Sequence, residues 1–148
     1  LKFGQRTDLA DRLSELLPTP PLPLRMANPI VVPVPLHLGR LVDRGYNPPA
    51  LLARAWCRRL ELELAPGLLS RRRETPHQSH LSREERARNV LGAFSAAPAA
   101  AGRHVILLDD VITTGATLEA CRLELYAAGV VHVRVVALAA TSLARVGG

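Results

Sequence analysis

The chain has 148 residues, 48% of them hydrophobic and 22% charged, a composition that excludes both a disordered polar chain and a membrane-embedded one. The formal net charge is +6, and Lys2 is the single lysine among 19 basic residues. Arginine binds phosphate through two hydrogen bonds at once, so a phosphate-bearing ligand fits this charge, although an arginine-rich composition alone accounts for it equally well.

Several protein classes are not indicated by the sequence. No apolar run approaches the roughly 18 residues of a membrane span, and no secretory signal opens the chain, so we expect a cytoplasmic protein without a membrane span. Cys57 and Cys121 lie outside any Cys-x-x-Cys pair, so neither a zinc site nor a disulfide framework is predicted. The first residue is Leu1 rather than Met, which predicts further residues upstream. The oligomeric state is not indicated.

The amino-terminal half is predicted to run helix, strand, loop, helix. Leucines at helical spacing predict an amphipathic helix over residues 8–17, which the prolines of residues 18–23 end. Residues 30–34 predict a short buried strand, and residues 35–46 a loop. Asn47 is the expected amino-terminal cap of a second helix, which runs to Leu60 with Trp56 in the core.

The carboxyl-terminal half begins with the most polar segment of the chain, residues 70–89. We expect it to be mobile and to end in a short helix, with Ser82 as its cap and Glu85 completing a capping box. A short element at residues 90–94, a strand at 104–108, a helix at about 116–128 and a strand at 130–138 follow, and Gly129 stops the helix. This order predicts an α/β fold with a central, mostly parallel β-sheet flanked by helices.

Residues 105–117 read Val-Ile-Leu-Leu-Asp-Asp-Val-Ile-Thr-Thr-Gly-Ala-Thr and carry the most functional information. An uninterrupted apolar strand is typical of a parallel sheet buried on both faces. The turn at the carboxyl end of such a strand is where open α/β sheets bind ligands. Asp109 and Asp110 are therefore predicted to lie at a ligand-binding edge.

The turn after these acids has the residue types that hold a phosphate. Backbone N–H groups converge where a turn opens a helix, Gly115 permits close approach, and three threonine hydroxyls lie within residues 113–117. Two carboxylates would repel that phosphate, so we expect Asp109 and Asp110 to bind ribose hydroxyls on the same ligand and to favour Mg²⁺ nearby.

Segment 105–117 resembles the 5-phosphoribosyl-1-pyrophosphate (PRPP) signature of type I phosphoribosyltransferases. The resemblance implies that Asp109 and Asp110 are the catalytic acids and bind the ribose 2′- and 3′-hydroxyls. It implies no direct metal ligand, since Mg²⁺ would enter with PRPP near these two acids. The resemblance assigns the 5′-phosphate to five consecutive residues: Thr113, Thr114, Gly115, Ala116 and Thr117.

Motifs elsewhere resemble the ComF family, the competence-protein branch of the phosphoribosyltransferases. They are Val32-Pro33-Val34-Pro35-Leu36-His37, Arg44-Gly45-Tyr46-Asn47, the spaced residues from Arg73 to Leu81, and Arg86-x-x-Asn89-Val90. The resemblance implies a single phosphoribosyltransferase-like domain over residues 1–148, with a small hood and a flexible loop. The family's amino-terminal cysteine-rich zinc module is not within this sequence.

The same resemblance implies two further binding segments. One is the pyrophosphate loop, residues 34–40 together with Arg44; its assigned residues are Val34, Pro35, Leu36, His37, Arg40 and Arg44. The other is the flexible loop that closes over the substrate; its assigned residues are Arg73, Thr75, Gln78 and Arg86. Arginines in both loops could equally be solvated surface side chains.

Two functions from different classes are carried forward. The first is an Mg²⁺-dependent phosphoribosyltransferase of nucleotide metabolism, which transfers a phosphoribosyl group from PRPP to an unidentified base or amine and releases pyrophosphate. The second is a non-catalytic PRPP- or nucleotide-binding accessory factor in the uptake of single-stranded DNA, whose partners would be DNA or proteins of the competence machinery. Pyrophosphate release separates the two.

Overall fold

The computed structural model describes residues 3–36, 38–73 and 81–141. The strands of these residues are β1 (Ile30–Pro33), β2 (Glu63–Leu64), β3 (Leu69–Arg71), β4 (Phe94–Ala96), β5 (His104–Ile112) and β6 (His132–Ala140). Their α-helices are α1 (Phe3–Ser14), α2 (Leu22–Met26), α3 (Leu38–Arg44), α4 (Pro48–Leu60), α5 (Arg83–Val90) and α6 (Ala116–Ala127).

The central sheet is parallel and has the strand order β2-β1-β5-β6. Its two middle strands are β1 and β5, whose apolar runs are fully buried, as expected for strands covered on both faces. The predicted α/β class with a mostly parallel sheet is confirmed. Strands β3 and β4 form a separate antiparallel pair.

Side chains alternate between the two faces of the sheet along each strand, so the core has two layers. Ile106 and Leu108 of β5 pack with Trp56 of α4 on one face of the sheet. Val105 and Leu107 pack on the other face, where the buried residues of α6, β3 and β4 also lie. Helix α1 packs against α4, and Arg59 of α4 donates to the carbonyl of Ser14 at 2.6 Å. Trp56 has no exposed surface, so it is part of the core as predicted.

Several element boundaries differ from the sequence-based predictions. Strand β6 runs over His132–Ala140 instead of 130–138, and the predicted short element at 90–94 spans the end of α5, a turn and the start of β4. Helix α1 begins at Phe3 and ends at Ser14. It ends there because the backbone N–H of each of residues 15–17 donates to the carbonyl three residues earlier, which tightens the chain into a turn. Helix α3 occupies part of the predicted loop 35–46. Strand β5 continues past residue 108 to Ile112, because β6 is long enough to pair with it as far as Ala140.

The position of α5 matches its capping signal. The Ser82 hydroxyl accepts from the N–H of Glu85 at 3.2 Å, and the Glu85 carboxylate accepts from the N–H of Ser82 at 2.6 Å. The predicted capping box is confirmed. No helix within the described ranges has the length and apolar character needed to cross a bilayer.

Candidate functional site

The signature segment lies at the carboxyl edge of the central sheet. Strand β5 ends at Ile112, residues 113–115 turn, and α6 begins at Ala116. Gly115 is the amino-terminal cap of α6, with a left-handed φ of 82° that glycine adopts without strain. The Thr114 hydroxyl accepts from the N–H of Ala116 at 3.3 Å. This is the strand, turn and helix start expected of an anion-binding cradle.

Thr141, the residue that follows β6, braces this turn. Its N–H donates to the carbonyl of Ile112 at 2.9 Å, and its hydroxyl donates to the carbonyl of Thr113 at 3.1 Å. Sequence reasoning did not identify Thr141, because a bond across 28 residues leaves no local signal. The turn is thus fixed from a neighbouring strand as well as from α6.

Asp109 and Asp110 belong to β5, whereas the sequence predicts that this strand ends at residue 108 and that the two acids lie in the turn after it. The cause is the pairing of β5 with β6, which includes Asp109 opposite Ala137 and Val111 opposite Ala139. Successive residues of a strand project to opposite faces, so Asp109 lies on the α6 face and Asp110 on the α4 face.

Each carboxylate accepts a bond from the next backbone N–H. The N–H of Asp110 donates to Asp109 at 2.9 Å, and the N–H of Val111 donates to Asp110 at 2.8 Å. Burial, reinforced by the neighbouring Asp110, raises the pKa of Asp109 to about 7. Asp109 therefore changes its charge near neutral pH.

Cys121 of α6 lies under the signature strand on the Asp109 face and has no exposed surface. Burial, and next the charge of Asp109, raise the pKa of this thiol far above its ordinary value. Cys121 is thus a protonated core thiol and not a nucleophile.

The loop after β1 meets the signature segment at the same edge, because β1 and β5 are neighbours. The N–H of Val34 donates to the carbonyl of Leu108 at 2.8 Å, one residue before Asp109. Val34 is buried, Pro35 and Leu36 are half-buried, and Arg44 is exposed in α3. His37 lies outside the described residues, and Arg40 is described only in its backbone.

The structure gives part of the predicted flexible loop a structural role. Arg73 donates to the carbonyls of Asn89 and Leu91, each at 3.0 Å, at the carboxyl end of α5. Arg86 is half-buried in α5, and α5 contacts α6. Thr75 and Gln78 lie outside the described residues.

The predicted acids fit the chemistry of Mg²⁺. The described ranges contain no group of three or more His, Cys, Asp or Glu side chains that could hold a metal ion by themselves. Mg²⁺ is commonly held by one or two carboxylates together with oxygens of the substrate's phosphates. Asp109 and Asp110 beside the threonine turn would favour such an ion nearby when it enters with the phosphates of PRPP.

Comparison with known proteins identifies the family. The family described as "Phosphoribosyl transferase domain" matches residues 50–145. DNA utilization protein YhgH of Escherichia coli (strain K12) is 36% identical over 123 residues, which are 80% of this chain and 54% of that protein. Competence protein F of Haemophilus influenzae is 38% identical over 112 residues, 74% of this chain and 49% of that protein. The chain spans about half the length of the curated relatives it matches.

Solved structures share the fold at low sequence identity. Glutamine PRPP amidotransferase from B. subtilis, complexed with ADP and GMP, has a TM-score of 0.54 and 19% identity, covering 88% of this chain and 25% of that chain. Hypoxanthine phosphoribosyl transferase of Trypanosoma cruzi has a TM-score of 0.52 and 14% identity, covering 98% of this chain and 70% of that chain. The sheet, the signature turn and these relatives agree: the chain belongs to the phosphoribosyl transferase domain family, as a ComF-like member with the type I phosphoribosyltransferase fold.

Proposed function

We propose that the carboxyl edge of the central sheet binds PRPP and that the protein transfers its phosphoribosyl group with release of pyrophosphate. The observation that carries the proposal is the bond from the Val34 N–H to the Leu108 carbonyl, because it joins the pyrophosphate loop to the strand of the two acids. A ribose with phosphates at both ends needs two anion-binding segments on either side of a ribose-binding group. Across the edge, the loop after β1 comes first, Asp109 and Asp110 on β5 come next, and the signature turn follows.

Each part has a defined role in this proposal. Residues 113–117 hold the 5′-phosphate through backbone N–H groups and threonine hydroxyls, aided by the positive end of the α6 dipole. Asp109 and Asp110 accept bonds from the ribose hydroxyls and stabilise positive charge that develops on the sugar ring as pyrophosphate leaves. Mg²⁺, when bound with PRPP, would neutralise the departing pyrophosphate.

The pKa of Asp109 gives the ribose contact a pH dependence. A protonated Asp109 accepts hydrogen bonds from hydroxyl groups less strongly than a carboxylate does. Because the pKa of Asp109 is about 7, the free protein holds a mixture of both forms near neutrality. Binding of a ribose with its Mg²⁺ is expected to favour the carboxylate and release a proton.

Calorimetric titration of PRPP, with and without Mg²⁺, tests the binding proposal. We expect the intact chain to bind and an Asp109→Asn, Asp110→Asn variant to lose at least about tenfold in affinity, or about 1.4 kcal/mol. A Glu61→Gln, Glu63→Gln variant is the matched control, because both residues lie at the opposite edge of the sheet beside the start of β2. Equal affinities in the intact chain and the Asp variant would remove the ribose assignment.

A second candidate is a non-catalytic accessory role with single-stranded DNA, favoured by the names of the relatives, a DNA utilization protein and a competence protein. The net charge of +6 is compatible with phosphate-dominated contact. Pyrophosphate release with a panel of bases and amines separates the candidates. PRPP binding without any release, together with DNA affinity that falls steeply with salt, favours the accessory role.

A further inference from the structure

We infer that Asn47 is a positioning residue that anchors the pyrophosphate loop to the strand of the ribose-binding acids. The inference rests on the proposed function and adds a residue to the site that binds pyrophosphate. It starts from the position of Asn47 between α3 and α4, where the sequence predicts an ordinary helix cap.

Asn47 occupies the cap position but does not cap α4 with its side chain. Its backbone is extended, with φ −109° and ψ 110°, yet no side-chain bond to the first turn is formed. The first two residues of α4 are Pro48 and Pro49, which have no N–H to offer a cap. The Asn47 side chain instead donates from Nδ2 to the carbonyl of Val34 at 3.1 Å, while its buried Oδ1 has no partner among the residues that the structure describes.

Val34 is consequently held from both sides. Its carbonyl accepts from Asn47, and its N–H donates to Leu108 at 2.8 Å. Leu108 is bonded in sequence to Asp109, so two hydrogen bonds connect the start of α4 to the first acid of the signature. Any shift of Val34 away from β5 must break one of them.

The hydrogen bond between Asn47 and Val34 therefore joins the two ends of the segment that contains α3. A second contact holds the same end: the guanidinium of Arg6 in α1 lies 4.2 Å from the centre of the Tyr46 ring. Fixing both ends lowers the conformational entropy that the loop loses when it orders around an anion. Anchoring should thus strengthen pyrophosphate binding and leave the 5′-phosphate cradle, which β6 and α6 hold, unaffected.

The test is an Asn47→Ser variant, which keeps a neutral, cap-competent side chain too short to reach Val34. Asn28→Ser is the matched control, since it makes the same change in a left-handed residue, φ 48°, that precedes β1 at the opposite edge of the sheet. Pyrophosphate, PRPP and ribose 5-phosphate are titrated separately into each protein with Mg²⁺ present. Amide hydrogen exchange is measured over residues 34–47.

In Asn47→Ser we expect exchange over residues 34–47 to accelerate and the affinity for pyrophosphate and PRPP to fall about fivefold. Affinity for ribose 5-phosphate should stay within about twofold, and the control should match the intact chain in all three titrations. Unchanged pyrophosphate affinity overturns the inference, and so does an equal loss for ribose 5-phosphate. If the intact chain binds neither pyrophosphate nor PRPP, the proposed function fails. Unchanged amide exchange over residues 34–47 in Asn47→Ser would show separately that Asn47 does not anchor the loop.

Discussion

The N–H of Asp110 donates to the carboxylate of Asp109 at 2.9 Å, and the same two residues are the acids of the signature segment. The bond stabilises the charged form of Asp109, but burial and the neighbouring carboxyl group outweigh it and raise the pKa of Asp109 from its ordinary value of 3.8 to about 7. An ionisable group with its pKa near neutral pH at the carboxyl edge of a parallel sheet is typical of functional sites.

The first prediction concerns the pH dependence of stability. Because the folded-state pKa of Asp109 exceeds its ordinary value, the folded protein binds more protons than the unfolded chain between pH 3.8 and about 7. As the pH rises through this range, the contribution of Asp109 to the free energy of unfolding should therefore fall by at least about 1.4 kcal/mol. Urea unfolding of the intact chain and of Asp109→Asn at several pH values measures it. Parallel pH profiles for the two proteins would contradict the prediction.

The second prediction concerns the phosphate cradle. Gly115→Ala forces alanine into a φ of 82° and should cost about 1 kcal/mol of stability while distorting the turn proposed to hold the 5′-phosphate. Gly67→Ala is the control, because an added Cβ there meets no atom within 4 Å. Titration of ribose 5-phosphate and thermal unfolding measure the two effects. Full affinity in Gly115→Ala would show that the turn does not bind this phosphate.

The third prediction concerns the capping box of α5. The bonds from Ser82 hold the pKa of Glu85 below its ordinary value, with the backbone N–H as the larger cause. Ser82→Ala removes the hydroxyl acceptor that fixes this turn, so the pKa of Glu85 should rise toward its ordinary value and α5 should exchange its amides faster. NMR titration of the Glu85 carboxyl group reports the first change. Ser70→Ala, which alters another exposed serine, should leave the Glu85 titration curve unchanged.

The fourth prediction separates two roles of Arg73. Its guanidinium bonds to the carbonyls of Asn89 and Leu91, so Arg73→Ala should loosen the carboxyl end of α5 and cost about 1 kcal/mol of stability. Amide exchange in α5 and PRPP affinity are measured together. Arg72→Ala is the control, since Arg72 bonds to Ser95 instead. A loss of PRPP affinity with unchanged exchange in α5 would assign Arg73 to the ligand rather than to the helix.

Local signals predicted much of the fold. The capping box at Ser82 and Glu85 was readable because both partners lie within one turn of the chain. The buried strands were readable because a parallel sheet demands continuous apolar runs. The stop of α6 at Gly129, where φ is 92°, follows from the backbone freedom of glycine.

The ends of some elements and the long-range hydrogen-bond partners could be known only from the tertiary structure. Nothing local shows that β5 continues through Asp109 and Asp110, since carboxylates are unfavourable in strands and only pairing with β6 holds them there. Asn47 has a capping residue's sequence context, yet its amide bonds to Val34, which only the folding of α4 beside β1 brings within reach.

The sequence by itself determined the α/β class, the family resemblance and the residues expected to bind a phosphoribosyl group, because these depend on residue types at short spacing. Only the tertiary structure decided how the segments meet. Thr141 braces the signature turn, Val34 joins the loop after β1 to β5, and Arg73 holds α5. Each of these contacts joins residues more than a dozen positions apart in the sequence. Such contacts form only when burial of the two core layers compensates the conformational entropy that the chain loses.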